Sequence, residues 1–203
     1  MIPAGATVHV VDDDPSFVRS ALRLLASWDV CATGFTSGRA FLDRLDGAAP
    51  ACVLLDLRMP ELSGLEVQAE LARSERRLPV VFISGHADVQ AGIDALMLGA
   101  VDFVAKPVDE ARLLAALERA LLADVRAQAE RARSAEARVR LARLAGEQRR
   151  ICQLVLTGLP DAGIAELLGS TEAAVRATRA EAMVTLGVGS LVELVRVMEA
   201  AGS

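Results

Sequence analysis

Over the first part of the chain, short unbroken apolar runs alternate with longer segments in which apolar residues recur every three or four positions. Thr7–Val11, Val30–Phe35, Ala51–Leu55, Pro79–Ile83 and Asp102–Ala105 read as strands. Three of these runs are almost wholly apolar (Val8–Val11, Cys52–Leu55, Val80–Ile83), which is how strands covered on both faces look. Helical spacing marks Ser16–Ser27, Gly38–Leu45, Gly64–Ser74, Asp88–Leu98 and the segment that starts at Glu110. In the first of these, Val18, Leu22, Leu25 and Ala26 share one face and Arg19 and Arg23 lie on another. Strand and helix in alternation predict a parallel sheet with right-handed crossovers and helices on both sides. Five of each in about 120 residues is the flavodoxin-like size of an α/β domain.

The pattern then changes. From Glu110 to Leu144 there is no glycine or proline, and alanine, leucine, arginine and glutamate dominate. The apolar stripe Leu114, Leu117, Leu121, Val125 fades after Val125, and Glu136 and Arg140 are spaced as an i,i+4 pair. The second half therefore reads as a solvated connector helix that ends at Gly146, without the a/d stripe of a coiled coil. Four short helical patterns follow, Glu147–Leu156, Asp161–Leu168, Glu172–Leu186 and Leu191–Ala200, punctuated by glycines. The expected organisation is an α/β domain over 1–122, a helical linker over 123–145 and an all-α domain over 146–203 that contains a helix–tight turn–helix.

Composition narrows the function classes. With 203 residues, 53% hydrophobic and 24% charged, the chain can bury real cores. No apolar run approaches the ~20 residues of a membrane span. The start has no basic n-region and runs into three aspartates, so a cytoplasmic location is expected. Cys31, Cys52 and Cys152 are scattered, lack ligand spacing and read as buried small hydrophobes. The net charge of −5 is uneven: −6 over 1–122, +4 over 123–150 and −3 over 151–203. Two acidic blocks with a basic connector argue against a protein that coats nucleic acid non-specifically.

In an open parallel sheet, ligands bind beyond the carboxyl ends of the strands. There the chain places Asp12-Asp13-Asp14, Asp56, Ser84 and Lys106-Pro107. Gathered carboxylates repel one another unless a cation is present, and hard oxygen ligands with open positions suit Mg²⁺, which also accepts phosphate oxygens. Lys106 is the only lysine among 22 basic residues, so a compact ammonium stands where arginine serves everywhere else. Pro107 after it invites a cis peptide, and Asp14 before Pro15 reads as a helix cap. His9 and His86, the only histidines, have no ligand pattern around them, and His86 reads as a loop residue.

Together, Val10-Val11-Asp12-Asp13-Asp14, Leu54-Leu55-Asp56-Leu57-Arg58-Met59-Pro60 with Gly64, Phe82-Ile83-Ser84-Gly85-His86 and Phe103-Val104-Ala105-Lys106-Pro107 resemble the receiver domain of two-component response regulators. The resemblance implies that Asp56 accepts a phosphoryl group from a histidine kinase. It implies that Asp12, Asp13, Asp56 and the carbonyl of Arg58 hold Mg²⁺, Asp12 mainly through water. Lys106 and Ser84 would then contact the phosphoryl oxygens, Phe103 would be the switch aromatic, and a homodimer would be the usual product. Residues 144–200 resemble the LuxR-type helix-turn-helix of NarL/FixJ regulators, with Thr171, Arg176, Thr178 and Arg179 as the DNA-facing positions.

Its polar positions depart from that family. Ala162-Gly163 stands where a lysine is usual, and Thr171-Glu172-Ala173-Ala174 lacks the second hydroxyl. Affinity for DNA comes largely from neutralised phosphates, and the three arginines of residues 151–203, a stretch at −3, supply few contacts. DNA binding is therefore expected to be weak, and a helix-turn-helix that has lost DNA and serves as a phosphorylation-switched interaction module is the alternative. A third class, an aspartate-nucleophile phosphatase, would need a second carboxylate two residues after Asp56, where Arg58 stands.

Overall fold

The computed structural model describes residues 2–45, 49–74, 76–85 and 96–202. His86 and all but the last turn of the helix expected over Asp88–Leu98 lie outside the described residues. Strands β1 (Thr7–Val11), β2 (Cys31–Phe35), β3 (Ala51–Asp56), β4 (Val80–Ser84) and β5 (Asp102–Ala105) form one parallel sheet in the order β2-β1-β3-β4-β5. Helices α1 (Pro15–Ser27), α2 (Gly38–Leu42), α3 (Gly64–Arg73) and the first part of α4 (Glu110–Ala142) cover it. The sheet and its order give the flavodoxin-like α/β fold expected from the sequence.

Strands β3 and β4 are buried along their whole length, and β1 over most of its length, because their residues alternate between two cores. Val8, Val10, Cys52, Leu54, Val81, Ile83 and Val104 pack on one side with Val18, Leu25, Leu113, Leu117 and Leu121. Val11, Val53, Leu55, Val80 and Phe82 pack on the other with Phe35, Phe41, Val67 and Leu71. Alternation in a strand thus turns a continuous apolar run into two separate layers. Cys52 lies inside the first core, where burial, with the charge of Asp124 beside it, pushes its thiol well above the usual range. Cys152 is buried as expected, whereas Cys31, on edge strand β2, is exposed.

The chain divides into two compact units, Met1–Ala127 and Gln128–Ser203. In the second, α5 (Gly146–Leu156), α6 (Asp161–Leu168), α7 (Glu172–Leu186) and α8 (Leu191–Gly202) are joined by short turns. Gly169 and Gly187 close α6 and α7 in the left-handed conformation that glycine adopts freely (φ 61° and 63°). Leu144, Cys152, Ala182, Leu186, Leu194 and Met198 make one core, and Ile151, Ile164, Ala165 and Val175 make another. The end of α4 is not the solvated connector that its sequence suggests. Ala137 is buried and Leu141 packs against the first of these cores. Arg140, expected to pair with Glu136, donates from Nε to the carbonyl of Leu186 at 2.9 Å, at the carboxyl end of α7. Among the described residues no helix is long and apolar enough to cross a membrane.

Gly64, the first residue of α3, fits against the backbone that follows β3. A Cβ there would lie 2.3 Å from the Asp56 carbonyl oxygen and 2.9 Å from the Phe82 ring. Backbone on one side and a fully buried ring on the other leave no room to yield. Gly64→Ala is therefore expected to destabilise the first unit by about 2–3 kcal/mol, as overpacking does, read as a lower midpoint in urea unfolding. Ala at Gly85, where a Cβ meets nothing within 4 Å, is the matched substitution expected to leave that midpoint nearly unchanged.

Candidate functional site

The sheet register decides which side chains meet. Val11 pairs with Leu55, so the residues just beyond them, Asp12 and Asp56, emerge side by side at the carboxyl edge. Ile83 pairs with Asp56 and Ser84 with Ala105, which puts Ser84 and Lys106 along the same edge. Asp12, Asp56 and Ser84 are all buried. The Lys106–Pro107 peptide is cis, as expected.

Lys106 joins the two carboxylates. Its Nζ lies 2.6 Å from Asp12 Oδ2 and 2.7 Å from Asp56 Oδ1. The remaining oxygens are taken by backbone donors: the amide of Asp14 donates to Asp12 Oδ1 at 2.9 Å, and that of Arg58 to Asp56 Oδ2 at 2.7 Å. The Lys106 amide in turn donates to the Ser84 carbonyl at 2.7 Å, which fixes the base of the lysine. Phe17, one turn into α1, sets its ring centroid 4.3 Å from the ammonium. The sequence reading missed Phe17, although it follows the aspartate triplet by a single helical turn, which is signal enough.

The electrostatics follow from burial. Desolvation holds the Asp56 carboxyl above its ordinary value, against the lowering pull of Lys106 and of the Arg58 amide. Desolvation also works to lower Lys106, but its bonds to Asp12 and Asp56 outweigh it and leave the ammonium above its ordinary value. Each group binds its proton more tightly in the folded state. Each therefore contributes stability below its unfolded value and loses it as pH rises through the folded one.

Asp13 stays exposed at the rim, apart from the buried pair. Among the described residues no three His, Cys, Asp or Glu side chains form a group able to hold a metal ion. The three-aspartate cluster expected at this edge is thus present as a pair and an outlier, because the ammonium rather than a third acid fills the space between Asp12 and Asp56. Asp14 caps α1 as expected, accepting from the Ser16 amide at 2.8 Å. Phe103, on β5, is half-buried and packs against the second core of the sheet.

In the helical unit, Thr171 caps α7 by accepting from the Ala174 amide at 3.2 Å. Arg176, Thr178 and Arg179 all lie on α7. Both arginines are engaged within the unit. Arg179 Nη1 is 2.9 Å from Asp161 Oδ1, and Arg176 donates to Glu172 with its Nε 3.7 Å from Asp161 Oδ2. Asp161, the acid both arginines face, was not singled out in the sequence.

Removing the ammonium would leave two buried carboxylates without a counter-charge. Lys106→Met is expected to cost about 2–3 kcal/mol near neutral pH, somewhat less than the ~3–5 of a fully buried pair because the lysine is partly exposed. The cost should shrink as pH falls into the carboxylate range and the acids protonate. Urea unfolding of wild type and variant across pH measures it, and a loss independent of pH would contradict this account.

Comparison with known proteins bears on both units. Residues 8–118 match the response regulator receiver domain. The chain is 36% identical to the transcriptional regulatory protein FixJ of Azorhizobium caulinodans, an alignment covering 99% of this chain and 95% of that protein. It is 37% identical to the tetrathionate response regulatory protein TtrR of Salmonella typhimurium over 96% of this chain and 92% of that one. Among solved structures it resembles the response regulator StyR, at 34% identity and a TM-score of 0.79, covering 97% of this chain and 99% of that one.

Proposed function

The chain belongs to the response regulators, as a FixJ-type transcription regulator with a receiver domain, and from that premise we propose that Asp56 is its phosphoacceptor. Regulators of this type are not enzymes, which sets the phosphatase reading aside. A carboxylate oxygen of Asp56 attacks the phosphorus of a phosphohistidine on a sensor kinase. The new O–P bond forms as the N–P bond breaks, and the electron pair leaves with the imidazole nitrogen, which takes up a proton. The observation that carries this reading is the bridge from the chain's single lysine to both buried carboxylates. It sets a mobile positive charge where phosphoryl oxygens would arrive, and such chemistry depends mostly on positioning and charge compensation.

The donor types suit Mg²⁺, being all hard oxygens: Asp12, Asp13, Asp56 and the Arg58 carbonyl are the groups that would hold it, with Asp13 turning in from its exposed position to join the buried pair. When bound, the ion offsets charge that builds on the transferred phosphoryl group. Lys106 would pass from Asp56 Oδ1 to a phosphoryl oxygen, and the Ser84 hydroxyl would bond another. The phosphoryl group carries about −1.5 to −2 at pH 7 in place of the single charge of the Asp56 carboxylate and brings new acceptor oxygens, enough to bias Phe103 and the β5–α4 surface beside it. The output we assign is formation of a homodimer that binds DNA through α6 and α7, with Thr171, Arg176, Thr178 and Arg179 on the facing helix. The chain organisation we assign is the receiver, helical linker and LuxR-type helix-turn-helix domain expected from the sequence, with the receiver extended from 122 to Ala127 so that it keeps Asp124, acting in the cytoplasm.

Incubation with a radiolabelled small-molecule acyl phosphate and Mg²⁺ is expected to label the wild type on a single, alkali-labile site. Asp56→Asn should take up no label, and chelation of the metal should abolish labelling of the wild type. Equal labelling of Asp56→Asn would refute the assignment.

A further inference from the structure

Residues 151–203 carry three basic side chains, Arg176, Arg179 and Arg196, and the two on α7 face the same acid. Asp161 opens α6, and its side chain is only 12% exposed. Arg179, at 22% exposure, is nearly as enclosed, whereas Arg176 is 62% exposed and shared with Glu172. The Arg179–Asp161 pair is thus shielded and weakly screened by salt, while the i,i+4 pair of Arg176 with Glu172 is the kind of surface contact that contributes little.

We propose that Asp161 is an intramolecular competitor for the phosphate backbone, holding Arg179, and with it Arg176, away from DNA and keeping the affinity of α7 low. The inference rests on the DNA-binding reading above and specifies how that surface is restrained. A guanidinium has five donors and can keep one carboxylate while meeting a phosphate, so geometry alone does not block it. Charge does: a phosphate approaching Arg179 meets a cation already offset by an acid at 2.9 Å, and must either displace that acid or lie close to it. Every phosphate left unneutralised in this way keeps its counterion, so fewer are released on binding and the salt dependence flattens. Two acids, Asp161 and Glu172, thus stand against both arginines of α7.

The test measures binding of the full-length chain to mixed-sequence duplex DNA across a salt series. Non-specific binding suffices, because phosphate contacts are what the arginines would supply. Asp161→Asn removes the charge and keeps the side-chain size, Asp161→Ser is a second variant in case the first folds poorly, and far-ultraviolet circular dichroism checks both. Glu181→Gln, an exposed acid on the same helix, removes one charge without touching the clamp. We expect Asp161→Asn to bind about tenfold more tightly at low salt and to steepen the slope of log K against log salt by about one to two. Glu181→Gln should gain far less, and Arg179→Ala should erase the gain in the Asp161→Asn background. A wild type that binds, with Asp161→Asn no tighter than Glu181→Gln, overturns the clamp and leaves the DNA reading standing. If no variant binds even at low salt, the DNA reading falls and the clamp with it.

Discussion

Two carboxylates buried side by side demand a cation, and the rest of the sheet edge is arranged around that demand. The register of β1 on β3 makes Asp12 and Asp56 neighbours whatever else the chain does. Away from water their repulsion is poorly screened, and their second oxygens are already committed to backbone amides. The side chain that answers comes from beyond β5, across β4, and is an ammonium rather than the guanidinium that this protein uses everywhere else. A planar fork is made for bidentate partners; a compact charge on a flexible stem can serve two acids at once and later turn to a third anion. The same bridge that keeps the folded receiver electrically tolerable is the part poised to respond when a phosphoryl group arrives.

The fold was readable because coverage on both faces leaves continuous apolar runs, and each run that ended in an acid, a hydroxyl or the lone lysine pointed at one edge. Asp56 and Ser84 prove to be the last residues of their strands rather than loop residues. What could not be read was how many acids would converge. Three consecutive aspartates look alike in sequence, yet one is buried on the lysine, one caps α1 and one stays at the rim. The end of α4 was misjudged for another reason. Ala137, Leu141 and Leu144 continue a helical stripe, but alanine carries so little hydrophobic signal that the stripe looks lost between Val125 and Leu141.

Asp161 and Asp124 show a further limit of pattern reading. Each pairs with an arginine far away in sequence, and neither partner has a spacing rule that predicts the meeting. Asp124 did leave a trace, falling three residues after Leu121 on a stripe that should be apolar. It is fully buried, accepts the Ala51 amide at 2.9 Å and takes both terminal nitrogens of Arg76, which also donates to the Ala49 carbonyl at 2.6 Å. An acid on a stripe of leucines signals a partner that the fold supplies from elsewhere.

That knot carries a lesson for anyone grafting this sensor half onto a foreign output module. A splice made where the leucine stripe gives out, after residue 122, would discard the acid that ties α4 to the start of β3 and would strand Arg76 with its charge half-sheltered. A junction placed beyond Ala127 keeps the anchor with the half it fastens, so the transplantable cassette is longer than its apolar pattern advertises.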